Sequence, residues 1–144
     1  MGNKKTHRAG MILYHLSENS DAFKMLFQRP ATPKFGGDTF QLCKGKIEKN
    51  ESELEAAIRE AQEEVGLFVP NINGDIYSLG IFLGRTTVFV AEVNDPFMFG
   101  DPDSEVAETQ WMTPSEFHKE GRLLHRPIVE AATRWITYTI QHKE

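Results

Sequence analysis

Six glutamates, Glu51, Glu53, Glu55, Glu60, Glu63 and Glu64, fall within residues 51–64, and Arg59 is the only base among them. The whole chain has 21 Asp plus Glu against 16 Lys plus Arg, a formal net charge of -5. Outside 51–64 acids and bases are equal in number, so the entire negative surplus sits in this one stretch. A helix face made only for solvent would intersperse lysines, because i,i+4 pairs of opposite charge support it. Glu60, Glu63 and Glu64 are related by i,i+3 and i,i+4 and therefore share one face. Carboxylates crowded in this way repel one another and raise each other's pKa. A hard divalent cation, Mg²⁺ or Mn²⁺, removes that penalty because it prefers oxygen ligands. Mg²⁺ keeps several waters and shares its sphere with substrate phosphates, so the chemistry indicated is phosphate chemistry.

Such a face needs a helix with fixed ends. Ser52 is suited to the N-cap, with Glu55 three residues on completing a capping box, and Gly66 stands where a C-terminal glycine belongs. At ~100° per residue, Leu54, Ile58, Ala61 and Val65 fall within a stripe of about 60°. That stripe is predicted to pack on a sheet, with the three glutamates turned away from it. Strands are predicted over 8–16, 23–28, a short extended piece at 39–43, 76–83, 86–93 and 108–112. A small helix opens at 113–116, and Pro127 starts a last helix running to about residue 141. Residues 94–105, NDPFMFGDPDSE, read as a loop. Strands, helix, strands and helix in this order give a mixed α/β sandwich.

At 144 residues the chain is read as one domain, 1–144, large enough to bury a core without disulfides. Apolar and charged contents of 40% and 26% are those of a globular protein and exclude a disordered one. Cys43, the single cysteine, cannot form an internal bridge and points to a reducing compartment. No apolar run approaches the ~20 residues of a membrane span. The expectation is a soluble, cytoplasmic monomer.

The spacing of the polar positions goes further. Gly45, Glu51 and the run Arg59-Glu60-Ala61-Gln62-Glu63-Glu64-Val65-Gly66-Leu67 resemble the signature of the Nudix hydrolases, G-x5-E-x7-R-E-U-x-E-E-x-G-U. Ala61 is small where a bulkier aliphatic is usual. The resemblance implies an α/β/α sandwich with a mixed β-sheet and a catalytic loop-helix-loop. It also implies Mg²⁺- or Mn²⁺-dependent hydrolysis of a pyrophosphate linkage in a nucleoside diphosphate derivative. By position, it implies Glu60 and Glu64 as main metal ligands and Glu63 as a ligand or an acid behind them. Arg59 and Glu51 would orient the cluster, and Gly45 and Gly66 would bound it where a side chain would obstruct the backbone path.

The flanks narrow the group. Arg8-Ala9-Gly10-Met11-Ile12-Leu13-Tyr14 resembles the first strand of asymmetric dinucleoside tetraphosphate hydrolases. Phe40-Gln41-Leu42-Cys43-Lys44-Gly45 resembles their entry to the motif, with Cys43 in place of a proline. Ser104-Glu105-Val106-Ala107-Glu108-Thr109-Gln110-Trp111 sets Glu105 six residues before a tryptophan. In that group, and in the bacterial RNA pyrophosphohydrolases, the corresponding glutamate approaches the metal from a loop. Glu105 is thereby implied as a further ligand or general base, and Lys44 and Arg8 as phosphate contacts. The implied substrate is a dinucleoside polyphosphate such as diadenosine tetraphosphate. The rival readings are the triphosphorylated 5' end of RNA, ADP-ribose, and a non-catalytic nucleotide sensor, although such sensors typically lose the glutamates retained here. Tyr77, Phe82, Phe97 and Phe99 are candidates for stacking on a base or for core, and Trp111 is read as core. The five histidines lack metal-ligand spacing and are assigned no role. Cys43 has no neighbouring base to make it a nucleophile.

Overall fold

The computed structural model describes residues 7–18, 21–32 and 38–142. Strand β1 (Arg8–Leu16) is buried on both sides, with Met11 and Leu13 in one core and Ile12 and Tyr14 in the other. A strand with two apolar faces belongs at the centre of a sheet covered by helices on both sides. β1 pairs in parallel with β5 (Thr86–Glu92) along one edge. Its other edge is shared. Arg8 to Met11 pair antiparallel with β3 (Cys43–Lys46), and Tyr14 to Leu16 with β2 (Phe23–Pro30). With β4 (Tyr77–Phe82) and β6 (Val106–Met112) the order is β4-β5-β1-β2-β6, β3 lying beside β1. The sheet thus forks along β1, and a bridge between Gln28 and Gln41 joins the two arms.

Helix α1 (Glu53–Val65) covers one face, where Ala56, Ala57 and Ala61 meet Ala9, Met11 and Leu13. Helices α2 (Pro114–Glu120) and α3 (Arg126–Gln141) cover the other, where Phe117, Ile128 and Ile136 meet Ile12, Phe27 and Val90. The result is the expected α/β/α sandwich with a mixed sheet. No helix among the described residues is long and apolar enough to cross a membrane.

The ends of α1 are those the sequence predicts. The Glu55 N–H donates to Ser52 Oγ at 3.0 Å, and the Ser52 N–H to Glu55 Oε1 at 2.8 Å. Gly66, at φ 73°, closes the helix in the left-handed conformation. The buried face is another matter. Leu54 is 37% exposed and Ile58 only half-buried, whereas Ala56, Ala57 and Glu60 join Ala61 and Val65 inside. Three alanines let the helix backbone come close to the sheet, which leucine and isoleucine at the contact would prevent. The helix is therefore rotated from the predicted stripe, and the rotation carries Glu60 inward instead of away from the sheet. Several strand boundaries also move by one to four residues, β2 for example running on to Pro30. β3 begins at Cys43, where the extended piece was predicted to end, and β6 begins at Val106 rather than 108.

Candidate active site

The strand β3 is a rail along which the acids are fixed. The Glu60 carboxylate lies over Gly45, where any Cβ would overlap it. One position back, the Lys44 N–H donates to Glu64 Oε1 at 3.1 Å. Glu60 and Glu64 lie close enough that each shifts the other's titration. Burial, reinforced by the Glu60 charge, pushes Glu64 up to about 8. Burial also raises Glu60, outweighing the Arg59 guanidinium beside it. Both shifts bias the pair toward its protonated form.

Arg59 organises the rest. Its Nε and Nη2 donate to the two oxygens of Glu51 at 2.7 and 3.1 Å, a bidentate pair. Nη2 also donates to the Lys46 carbonyl at 2.9 Å, and Nη1 to Glu60 at 3.0 Å and Glu63 at 3.4 Å. The 99–105 loop is tied to the same helix. The Gly100 N–H donates to the Gly66 carbonyl and the Asp103 N–H to the Glu63 carbonyl, both at 2.7 Å. A Cβ on Gly66 would strike the Gly100 backbone, which gives that glycine a second reason to be there. Glu105 donates its N–H to Asp103 Oδ1 at 3.0 Å, and its carbonyl accepts from Ala31 at 2.8 Å. Glu105 lines the same cavity as Glu60, Glu63 and Glu64. Glu108 does not line that cavity; it takes two bonds from Arg29, at 2.7 and 3.1 Å.

This cavity, of about 920 Å³, lies at the upper end of the ~300–1,000 Å³ usual for ligand sites. Against its carboxylates stand Arg8, Lys44, Arg85 and Arg122. None of the four has a carboxylate within ion-pair distance among the described residues. Burial, and then the charges of Arg8 and Arg122, lower the Lys44 pKa. His125 lines the cavity too and is fully buried. Its Nδ1 accepts from the Leu42 N–H at 3.4 Å, so Nε2 carries the ring's proton. Nε2 has no partner among the described residues, a cost of about 1–3 kcal/mol for a buried donor. Burial, with Lys44 and Arg122 nearby, drives the His125 pKa down to about 3 and keeps the ring neutral.

A NUDIX domain family model matches residues 6–132 of this chain. The chain belongs to the Nudix family. As a Nudix hydrolase it is a pyrophosphohydrolase, acting on acid anhydrides. Among curated proteins none matches it in sequence. Its fold is similar to that of a C. elegans Ap4A hydrolase binary complex (TM-score 0.72, 16% identity, 92% of this chain and 98% of that one). A mutT/nudix family protein from Listeria innocua is similar at TM-score 0.72 and 24% identity, covering 97% and 99%. The NUDIX domain of Shewanella oneidensis NrtR complexed with ADP ribose is similar at TM-score 0.67 and 12% identity, covering 94% and 90%. At these identities the likeness is one of fold.

Of the residues singled out in the Nudix motif and its flanks, Arg8, Lys44, Gly45 and Arg59 line the cavity with the four glutamates named above. Glu51 stands behind Arg59, and Gly66 lies at the far end of α1, away from the lining. Tyr77, Phe82, Phe97 and Phe99 do not line it. Phe82 packs on the core under α3, Phe99 and Trp111 meet edge to face, Tyr77 leans on Trp135, and Phe97 is exposed. Burial pushes the Cys43 thiol up, and it donates to the Met11 carbonyl, so it is an inert core group. Asp103, Arg85, Arg122 and His125 escaped the sequence reading. Asp103 could have been found from its place two residues before Glu105; the others carry no local signal.

No three carboxylates converge as a ready-made cation cage among the described residues. Arg59 draws Glu60 and Glu63 toward itself instead. The donor set nevertheless suits a hard divalent ion. Glu60 and Glu64 are oxygen donors held together where neither is comfortable as a lone anion, and Glu63 and Glu105 are exposed enough to swing toward them.

Proposed function

We propose that this Nudix hydrolase cleaves a dinucleoside polyphosphate, such as diadenosine tetraphosphate, with Mg²⁺ or Mn²⁺. The observation that carries the reading is the two-sided cavity, with carboxylates along α1 and the 103–105 loop, and opposite them four bases without acidic partners among the described residues. A long phosphate chain carries enough negative charge to answer both sides, one through cations and the other directly.

Glu60 and Glu64 would hold the cation, with Glu63 and Glu105 completing its oxygen ligands. When bound, the cation neutralises the phosphate oxygens and makes water a better nucleophile. Arg59, locked to Glu51, holds Glu60 over Gly45. Lys44 and Arg8 donate to phosphate oxygens and position the phosphorus for in-line attack. Glu105, on a backbone fixed from both sides, takes the proton of the attacking water. A nucleotide sensor has no need of all these carboxylates, and ADP-ribose offers only a diphosphate to the basic wall.

A substrate panel tests the reading: diadenosine tetraphosphate, ADP-ribose, nucleoside triphosphates and triphosphorylated RNA, each with Mg²⁺ and with the products resolved. The dinucleoside polyphosphate should show the highest kcat/KM. A preference for ADP-ribose or for RNA would replace it.

A further inference from the structure

We propose that Arg122 and His125, on the segment joining α2 to α3, form a subsite for the phosphates beyond the diphosphate held at the glutamates. The cavity would then favour triphosphate and longer chains over diphosphates. The inference rests on the polyphosphate reading above and specifies how that substrate is measured.

The segment is pinned to the lead-in of β3. The Arg122 N–H donates to the Phe40 carbonyl at 2.8 Å, the His125 N–H to the Arg122 carbonyl at 3.0 Å, and the Leu42 N–H to His125 Nδ1. The backbone from Leu42 to Gly45 thus has His125 at one end and Glu60 at the other, with Glu64 at Lys44 between them. Extended chain rises ~3.3 Å per residue, so these ends lie about 10 Å apart. A diphosphate anchored at the Gly45 end stops short of His125; a longer chain does not.

The chemistry at the far end suits phosphate oxygens. The charges of Arg8 and Arg122 both bear on Lys44, no carboxylate is paired to any of the three among the described residues, and an anion relieves that repulsion. The buried Nε2–H of His125 can only donate, because Nδ1 is already taken as an acceptor. A group made of acceptors answers it; a cation or a second donor does not.

The test is calorimetric titration of inorganic pyrophosphate and tripolyphosphate, with Mg²⁺, into the protein and its Arg122→Gln, His125→Leu and His125→Gln variants. The unaltered protein should bind tripolyphosphate more tightly than pyrophosphate. Arg122→Gln and His125→Leu should each weaken tripolyphosphate by about 10- to 100-fold, as for a lost hydrogen bond to a charged group, and leave pyrophosphate almost unchanged. His125→Gln, whose amide N–H can stand near the position of Nε2–H, should recover most of the loss. Should His125→Leu fail to fold, Arg122→Gln decides alone. Equal weakening of both anions, or no preference in the unaltered protein, overturns the subsite. If tripolyphosphate selectivity holds but diadenosine tetraphosphate is not cleaved, the substrate reading fails and the subsite stands.

Discussion

The two walls of the cavity are built in opposite ways. The acidic wall comes mostly from one helix and its lead-in, and its single cation, Arg59, touches Glu51, Glu60 and Glu63 within 2.7–3.4 Å. The basic wall takes Arg8 from β1, Lys44 from β3, Arg85 from the β4–β5 turn and Arg122 from the segment before α3. None of these has an ion-pair partner among the described residues. One wall is organised before any ligand arrives. The other presents charge without a counter-ion among the described residues, and fixed charges of this kind gain strength in a partly desolvated site.

The comparison is broken most severely from the acidic side. Glu64→Gln keeps the acceptor oxygen for the Lys44 N–H, so the fold should survive. It removes one charge from the proposed cation site, and kcat should fall by about two to four orders of magnitude. Full activity in steady-state kinetics would mean that the helix is a solvated face after all. Glu105→Gln removes the proposed base while its backbone bonds to Asp103 and Ala31 remain. We expect a loss of about 100-fold in kcat with little change in KM. An equal loss spread into KM would make Glu105 a binding residue.

That same contrast governs what could be read in advance. The capping box, the Gly66 terminus and the glutamate spacing are local, so the sequence displays them directly. The central position of β1 shows in its unbroken apolar run. The rotation of α1 was hidden, because hydrophobicity alone favours Leu54 and Ile58 and ignores how closely three alanines let a helix approach. The placement of Arg122 and His125 at the cavity was hidden more deeply. Leu42 and His125 are 83 positions apart, and only the fold makes them neighbours. A lone histidine among five, with no metal spacing, gives no sign that it will end with one nitrogen occupied and the other without a partner among the described residues.

Protonation offers a milder probe of the acidic wall. The folded-state pKa of Glu64, about 8, lies above its unfolded value of 4.5. The fold therefore favours the neutral form, and its stabilising contribution is lost as pH rises through about 8. His125 acts in the opposite sense, but its contribution is complete above its unfolded value of 6.5. Between pH 6.5 and 8.5, then, the cation-free protein should melt at progressively lower temperature. Mg²⁺ should restore the loss, and more fully at the alkaline end, because it binds the deprotonated carboxylate. In Glu64→Gln the slope should flatten. A melting temperature that climbs with pH in the cation-free protein would reverse this account of the glutamate pair.

The smallest effect is expected at Glu108, and it sharpens the contrast because Glu108 is also a glutamate and only three residues from Glu105. In β6 it faces Arg29 on the neighbouring strand, accepting from Nε and Nη2, while Arg29 Nη1 holds Asp38 at 2.9 Å. Both partners are partly open to solvent, 27% for the Arg29 side chain and 45% for that of Glu108, and such surface pairs contribute little. Glutamine at 108 keeps an acceptor for Arg29, and Asp38 remains as its ionic partner. Glu108→Gln should therefore leave kcat within about twofold of the unaltered enzyme and its Mg²⁺ dependence unchanged. A severe loss there, with Glu105→Gln nearly silent, would move the proton acceptor across β6 and detach the 103–105 loop from the chemistry.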